Sequence, residues 1–334
     1  MAHQTLATPA PAVDRPRILV GSVFSPRFWS HGPLLAGVGF AMLVLSVVFL
    51  VGVLLDPREI MGAPRWMKPA KFAVSTGIYA LTFVWLLSHV EGRPRLVRRA
   101  ARITGWVLLV EVALIAMQAA RGTTSHFNQT TTLNGWITLS TGVAILMLWV
   151  ASIAVGVALL RQRFADPVLG WSLRLGLWIT ILGAAVGIYM AAPTRPQMET
   201  LKTGARPSYI GAHSVGGEDG GAGVPVANWS TEHGDLRVSH FVGLHALQVL
   251  PLLGFLLRRS RRFHTTRQRT RAVWVGGASY LALTAILFWQ AVRGQSLLHP
   301  DALTLGVAAG WFVLTALGAA LALRDPAEST VVAG

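Results

Sequence analysis

Long apolar windows alternate along this chain with short polar breaks. Eight windows of mostly apolar residues recur, roughly at 35–55, 69–89, 103–120, 137–160, 172–192, 239–257, 272–292 and 303–323. Each has about the twenty residues needed to cross the hydrocarbon core of a bilayer. Hydrocarbon offers no water to backbone N–H and C=O groups, so each window must satisfy its own and is predicted to be a helix. The expected fold is an all-α membrane protein with eight transmembrane helices.

Composition strengthens this reading. The 334 residues are 53% hydrophobic and only 13% charged, too apolar for an ordinary soluble domain. Residues 1–30 are polar and proline-containing, without the apolar core of a cleavable signal, and read as a flexible cytoplasmic tail; 327–334 form a second one. Cysteine is absent, which excludes disulfides, thiolate-held metals, iron–sulfur clusters and thioether-linked haem. The net charge of +15 does not point to nucleic acid, because the basic residues gather in short loops: "EGRPRLVRR" (91–99), "RQRFADP" (161–167) and "RRSRRFHTTRQRTR" (258–271). Basic loops stay cytoplasmic and attract anionic headgroups. Eight spans then put both termini in the cytoplasm, as expected for a multi-pass protein of a bacterial inner membrane. The first outward loop is the exception, carrying Arg58, Arg65, Lys68 and Lys71.

The chain repeats itself. Gln118, Arg121 and Gly122 match Gln290, Arg293 and Gly294 at an offset of 172, and His126 matches His299 at 173. Upstream, Lys68, Lys71 and Phe72 match Arg237, His240 and Phe241 at an offset of 169. The common order indicates a tandem duplication. Residues 31–165 and 166–326 form two four-helix halves of the same orientation, related by an axis along the membrane normal. Within the second half, 193–236 is a long glycine-rich outer loop, either a lid or a flexible connection.

Polar residues gather at the outward ends of the spans. Gln118, Arg121, Gln290 and Arg293 close spans 3 and 7, His126 and His299 precede spans 4 and 8, and Arg237, His240 and His245 open span 6. Glu111 lies inside span 3, two turns and about 10 Å below Gln118 on the same face. An intramembrane carboxylate is a functional candidate by default, and His245 is a plausible partner for it. Glu111, Lys71 and His126 are the candidates for proton handling or catalysis. His240 and His245, five residues apart, sit about 140° around a helix from each other and do not form one metal grip. His213 and His233 belong to the outer loop; His3, His31, His89 and His264 read as solvated or interfacial.

Eight spans, two tandem halves and ligand-type residues at the outward starts of spans 2, 4, 6 and 8 resemble the haem A synthase family. That resemblance implies a haem b held by the second half through His240 and His299, and a first half that handles the hydrophobic substrate near Lys71 and His126. Lys71 stands where a fourth histidine is expected, and the outer loops carry none of that family's cysteine pairs. "WMKPAKF" (66–72), "QAARGTTSHFN" (118–128) and "DLRVSHFVGLHALQ" (235–248) also resemble a bacterial family of multi-span proteins without assigned function.

Three functions remain open. One is a membrane oxidoreductase, with haem on His240 and His299, propionates on Arg237 or Arg293, and a quinone or similar hydrophobic molecule as partner. The second is a transporter or binding protein for an anionic or lipid-phosphate ligand, using Lys68, Lys71, Arg121, Arg237 and Arg293. The third is a non-haem metal enzyme using His126, His240, His245 and His299.

Overall fold

The computed structural model describes residues 26–324; residues 1–25 of the first tail, with His3, and all of the second tail lie outside them. The described chain is mostly helical. After a short helix α1 (Pro26–Ser30) come α2 (Pro33–Leu55), α3 (Met67–Leu87), α4 (Pro94–Ala120), α5 (Thr132–Arg161) and α6 (Pro167–Ala191). They are followed by α7 (Arg195–Lys202), α8 (Leu236–Leu244), α9 (Ala246–Arg259), α10 (Thr266–Val292) and α11 (Ala302–Leu323). Seven of these helices are long and apolar enough to cross a membrane, and α8 with α9 would make an eighth span if the bent pair counts as one.

Local chemistry sets the helix starts. Prolines open α2, α4 and α6, where the missing N–H is no loss. Asp166 also caps α6, and Thr131, Asp235, Thr265 and Asp301 cap four other starts, each by accepting backbone N–H groups. Two small ribbons interrupt the helices. In the first, Glu59–Ile60 (β1) pairs with Ala63–Pro64 (β2). Met61 and Gly62 between them both have positive φ, the backbone that a two-residue hairpin turn requires. In the second, Ser214–Val215 (β3) pairs with Gly234–Asp235 (β4) and staples the two ends of the long loop together.

Helix packing repeats along the chain. In the first half α2, α3 and α4 pack against one another and α5 leans on α4. In the second, α6, the α8–α9 pair and α10 pack together and α11 leans on α10. The two groups meet where α5 touches α6 and α3 touches α9. The largest core includes Leu35, Met42, Phe83, Leu87, Leu108 and Val112, and continues across the junction through Leu173, Leu177 and Leu247. Outward surfaces stay apolar: Leu54, Leu55, Phe312 and Leu314 are all exposed, as lipid-facing residues should be.

The window at 239–257 reads as one straight span, but the structure bends it by 45° between Leu244 and Ala246, at His245. Two features drive the bend. Pro251 has no N–H to donate to the helix, and the N–H of Leu247 is diverted to Thr180 Oγ1 at 3.0 Å. That hydroxyl in turn donates to Leu244 O at 3.1 Å, so one α6 side chain serves both sides of the break. The outward half, α8, presses directly on α6: a Cβ added to Gly243 would lie 2.5 Å from Gly183 Cα. The glycine does admit a close neighbour, and that neighbour is a helix.

Candidate functional site

The ends of α4, α6 and α10 and the starts of α3, α5, α8 and α11 share one side of the molecule, here called the histidine end. The duplicated Gln-Ala-x-Arg-Gly stretch has the same local structure in both copies. Thr123 N–H donates to Gln118 O and Gly122 N–H to Ala119 O; Gln295 N–H donates to Gln290 O and Gly294 N–H to Ala291 O. Gly122 and Gly294 have φ of 72° and 73°. This is the double hydrogen bond of a Schellman helix end, which favours glycine at the left-handed position. Each glutamine then ties down the following loop, Gln118 Nε2 donating to Thr124 O at 3.2 Å and Gln290 Nε2 to Ser296 O at 2.8 Å. Arg121 bonds Gln118 and Asn134. Arg293 bonds Asp301 and Thr304 and stacks on Trp289. These four residues build the two helix ends.

The basic first loop is accounted for in the same way. Arg58 forms a two-pronged pair with Asp56. Arg65, 4% exposed, sets its guanidinium on Ala119 O and Ala120 O. It meets the negative end of the α4 dipole.

Lys68 and Lys71 differ from these arginines. Both are half-buried, and among the described residues neither has a carboxylate within ion-pair distance. Lys71 Nζ donates to Ala227 O of the long loop at 2.8 Å. Lys68 Nζ donates to His126 Nδ1 at 3.2 Å and lies over the Phe72 ring. The chain continues inward: His126 Nε2 is 3.1 Å from Glu111 Oε1. These partners select the neutral ring with the proton on Nε2. Burial and the neighbouring Lys68 ammonium hold His126 below the ordinary histidine range, despite its bond to Glu111. Glu111 is 2% exposed, and its second oxygen, Oε2, has no hydrogen-bond partner.

His126, and not His245, is therefore the partner of Glu111. The loop after Gly122 folds back into the bundle, pinned by the buried Asn128. Asn128 Nδ2 donates to Thr123 Oγ1 and Thr124 O, while its Oδ1 accepts from the N–H and hydroxyl of Thr130. A positive φ at Phe127 completes the reversal.

Arg237 joins the same neighbourhood, within Coulombic reach of Lys68 and Lys71, but it is neutralised by a two-pronged pair with Asp235 and by Asn228 O. In the covering loop His213 Nδ1 donates to Asp219 Oδ2 at 2.6 Å. Asp219 also accepts the backbone N–H groups of His213 and Ser214. Burial pushes His213 down to about 4 and keeps it neutral. Burial opposes ionisation of Asp219, yet the hydrogen bonds from the His213 ring and backbone and from Ser214 outweigh it and hold the carboxyl below its usual range. Sequence reasoning missed this pair and the keystone Asn128.

The remaining histidines do not assemble. His240 Nδ1 donates to Gly183 O at 2.8 Å, His245 sits at the bend, and His299 is exposed in the loop before α11. Among the described residues no group of three or more His, Asp and Glu side chains is placed to hold a metal, so the four-histidine metal centre is not formed. The gap among Asp235, Val238, Leu287, Gln290 and Gln295 is about 10 Å³, no more than the room for one water.

Compared with family models, curated proteins and solved structures, the chain matches none.

Proposed function

We propose that this is an eight-span membrane protein of two tandem four-helix halves that binds a small oxyanion group at Lys68 and Lys71, with the Glu111 carboxylate behind His126 opposing that binding by its charge. The like-for-like packing of the halves and their identical helix ends support the duplication. The arginine-rich loops all lie opposite the histidine end, which supports a cytoplasmic arginine end and an outward-facing site.

The observation that carries the binding claim is two half-buried ammonium groups that, among the described residues, have no carboxylate within ion-pair distance. Withdrawing a cation from water is costly unless it is paired, so the missing partner is an anion. A phosphate- or sulfonate-like oxyanion supplies several acceptors for the two ammonium groups and replaces Ala227 O on Lys71. Glu111, reached through the His126 ring, is a negative charge behind the same cations and weakens the hold on a bound anion. This is the chemistry of a transporter or receptor for an anionic substrate that must also release it; the bent α8–α9 span, broken about 14 Å from its start, adds the discontinuous helix common at such sites.

The test is thermal unfolding of the detergent-purified chain with sulfate, whose charge is constant across neutral pH. Sulfate should raise the midpoint of the wild type and of Arg293→Gln, and lose its effect in Lys68→Gln and Lys71→Gln. Equal stabilisation of all four proteins would overturn the proposal.

A further inference from the structure

A second binding feature lies at the opposite end of the first half. Between α4 and α5 runs an open groove of about 350 Å³, lined by Arg99, Arg102, Ile103, Trp106, Val107 and Met147. Its five α4 residues follow the three-and-four spacing of one helix face. From Arg99 to Val107 they span about 12 Å along the axis. Charge sits at one end of the groove and apolar surface along the rest. Among the described residues neither arginine has a carboxylate within ion-pair distance, and Arg102 Nε reaches only Arg98 O, at 3.4 Å. Trp106 is 57% exposed along the wall.

The second half lacks this feature. At the same offset of 172 stand Arg271, Trp274, Val275, Ala278 and Ser279. Arg271 there donates to Arg324 O, Trp274 packs on Trp171 with ring centres 4.3 Å apart, and Trp311 Nε1 bonds Ser279 O. The second half therefore does not repeat the two arginines and apolar wall of α4, and the groove does not simply follow from the repeat.

We infer that the groove is a binding site for one anionic glycerophospholipid of the leaflet at the arginine end. Two unpaired guanidinium groups at headgroup depth match the phosphate of a lipid whose headgroup carries no cation of its own. The apolar wall from Ile103 to Val107, about 6 Å long, runs toward the bilayer centre and matches the first few methylenes of an acyl chain. A free oxyanion would use the arginines alone and leave the wall exposed; a neutral lipid would use the wall alone. The site is independent of the Lys68–Lys71 proposal.

Native mass spectrometry of the full chain with phosphatidylglycerol or phosphatidylcholine tests the assignment. The wild type should retain one phosphatidylglycerol at least about tenfold better than phosphatidylcholine, and sulfate should not displace it. Arg99→Gln/Arg102→Gln should lose the preference. Met147→Trp, which fills the apolar wall and keeps both arginines, should lower retention, and Arg271→Gln should keep it. An unchanged preference in the double variant, or full retention by Met147→Trp, would overturn the inference.

Discussion

Glu111→Gln separates a carboxylate that opposes a bound anion from a merely structural one. The amide keeps the side chain's size and still accepts from His126 Nε2 in place of Oε1, so the loop around Asn128 should hold. Only the charge is lost. From Glu111 through the imidazole to an anion on Lys68 is about 10 Å, and at an effective dielectric near 20 two unit charges at that distance repel by about 1.7 kcal/mol. Removing the carboxylate should therefore tighten sulfate binding by at least roughly 15-fold. Titration calorimetry with sulfate at one neutral pH compares the affinities of the wild type and the variant. A variant that binds sulfate no better than the wild type, or more weakly, would refute the reasoning.

Three further outcomes follow from the geometry. The neutral His213, held down to about 4 in the folded loop, stabilises the cover at neutral pH; this contribution should fade as pH drops from about 6.5 toward 4, because the unfolded loop then binds the proton that the folded loop refuses. Limited proteolysis within 203–235 should accelerate across that window, and Asp219→Asn should be cut rapidly even at neutral pH. Gly243→Ala places a methyl against the Gly183 backbone, where no side chain can move aside; a loss of about 1–3 kcal/mol is expected in denaturant unfolding. Thr180→Val removes the only hydroxyl bridging the bend, leaving Leu244 O and Leu247 N–H without it, and should cost about 1–3 kcal/mol in the same assay.

The spans were legible because lipid imposes its demand residue by residue. The windows miss only the edges: α4 begins at Pro94 and α5 at Thr132, since their first turns carry arginines or capping polar residues that lower hydropathy without ending a helix. The bend at His245 was not legible, because it depends on Thr180 from another helix. The Gln-Ala-x-Arg-Gly repeat was visible as a pattern and misread as a ligand set. Its glycine, just past the last apolar turn, was the available sign of a helix end. Glu111 stood out as a carboxylate within a span, but its partner did not: spacing along the chain cannot reveal that residues 123–131 turn back into the bundle. Lys68 and Lys71 looked like the arginines around them, and differ because Arg58 and Arg65 pair with Asp56 while neither lysine has a carboxylate at ion-pair distance among the described residues.

The position of a bound oxyanion tests the central claim most directly. A structure of the full chain solved with selenate, located by its anomalous scattering, should place one peak within about 4 Å of both Lys68 Nζ and Lys71 Nζ, with the Ala227 contact broken. A peak confined to Arg293 or the arginine-rich loops, with the Lys71–Ala227 bond intact, would contradict it.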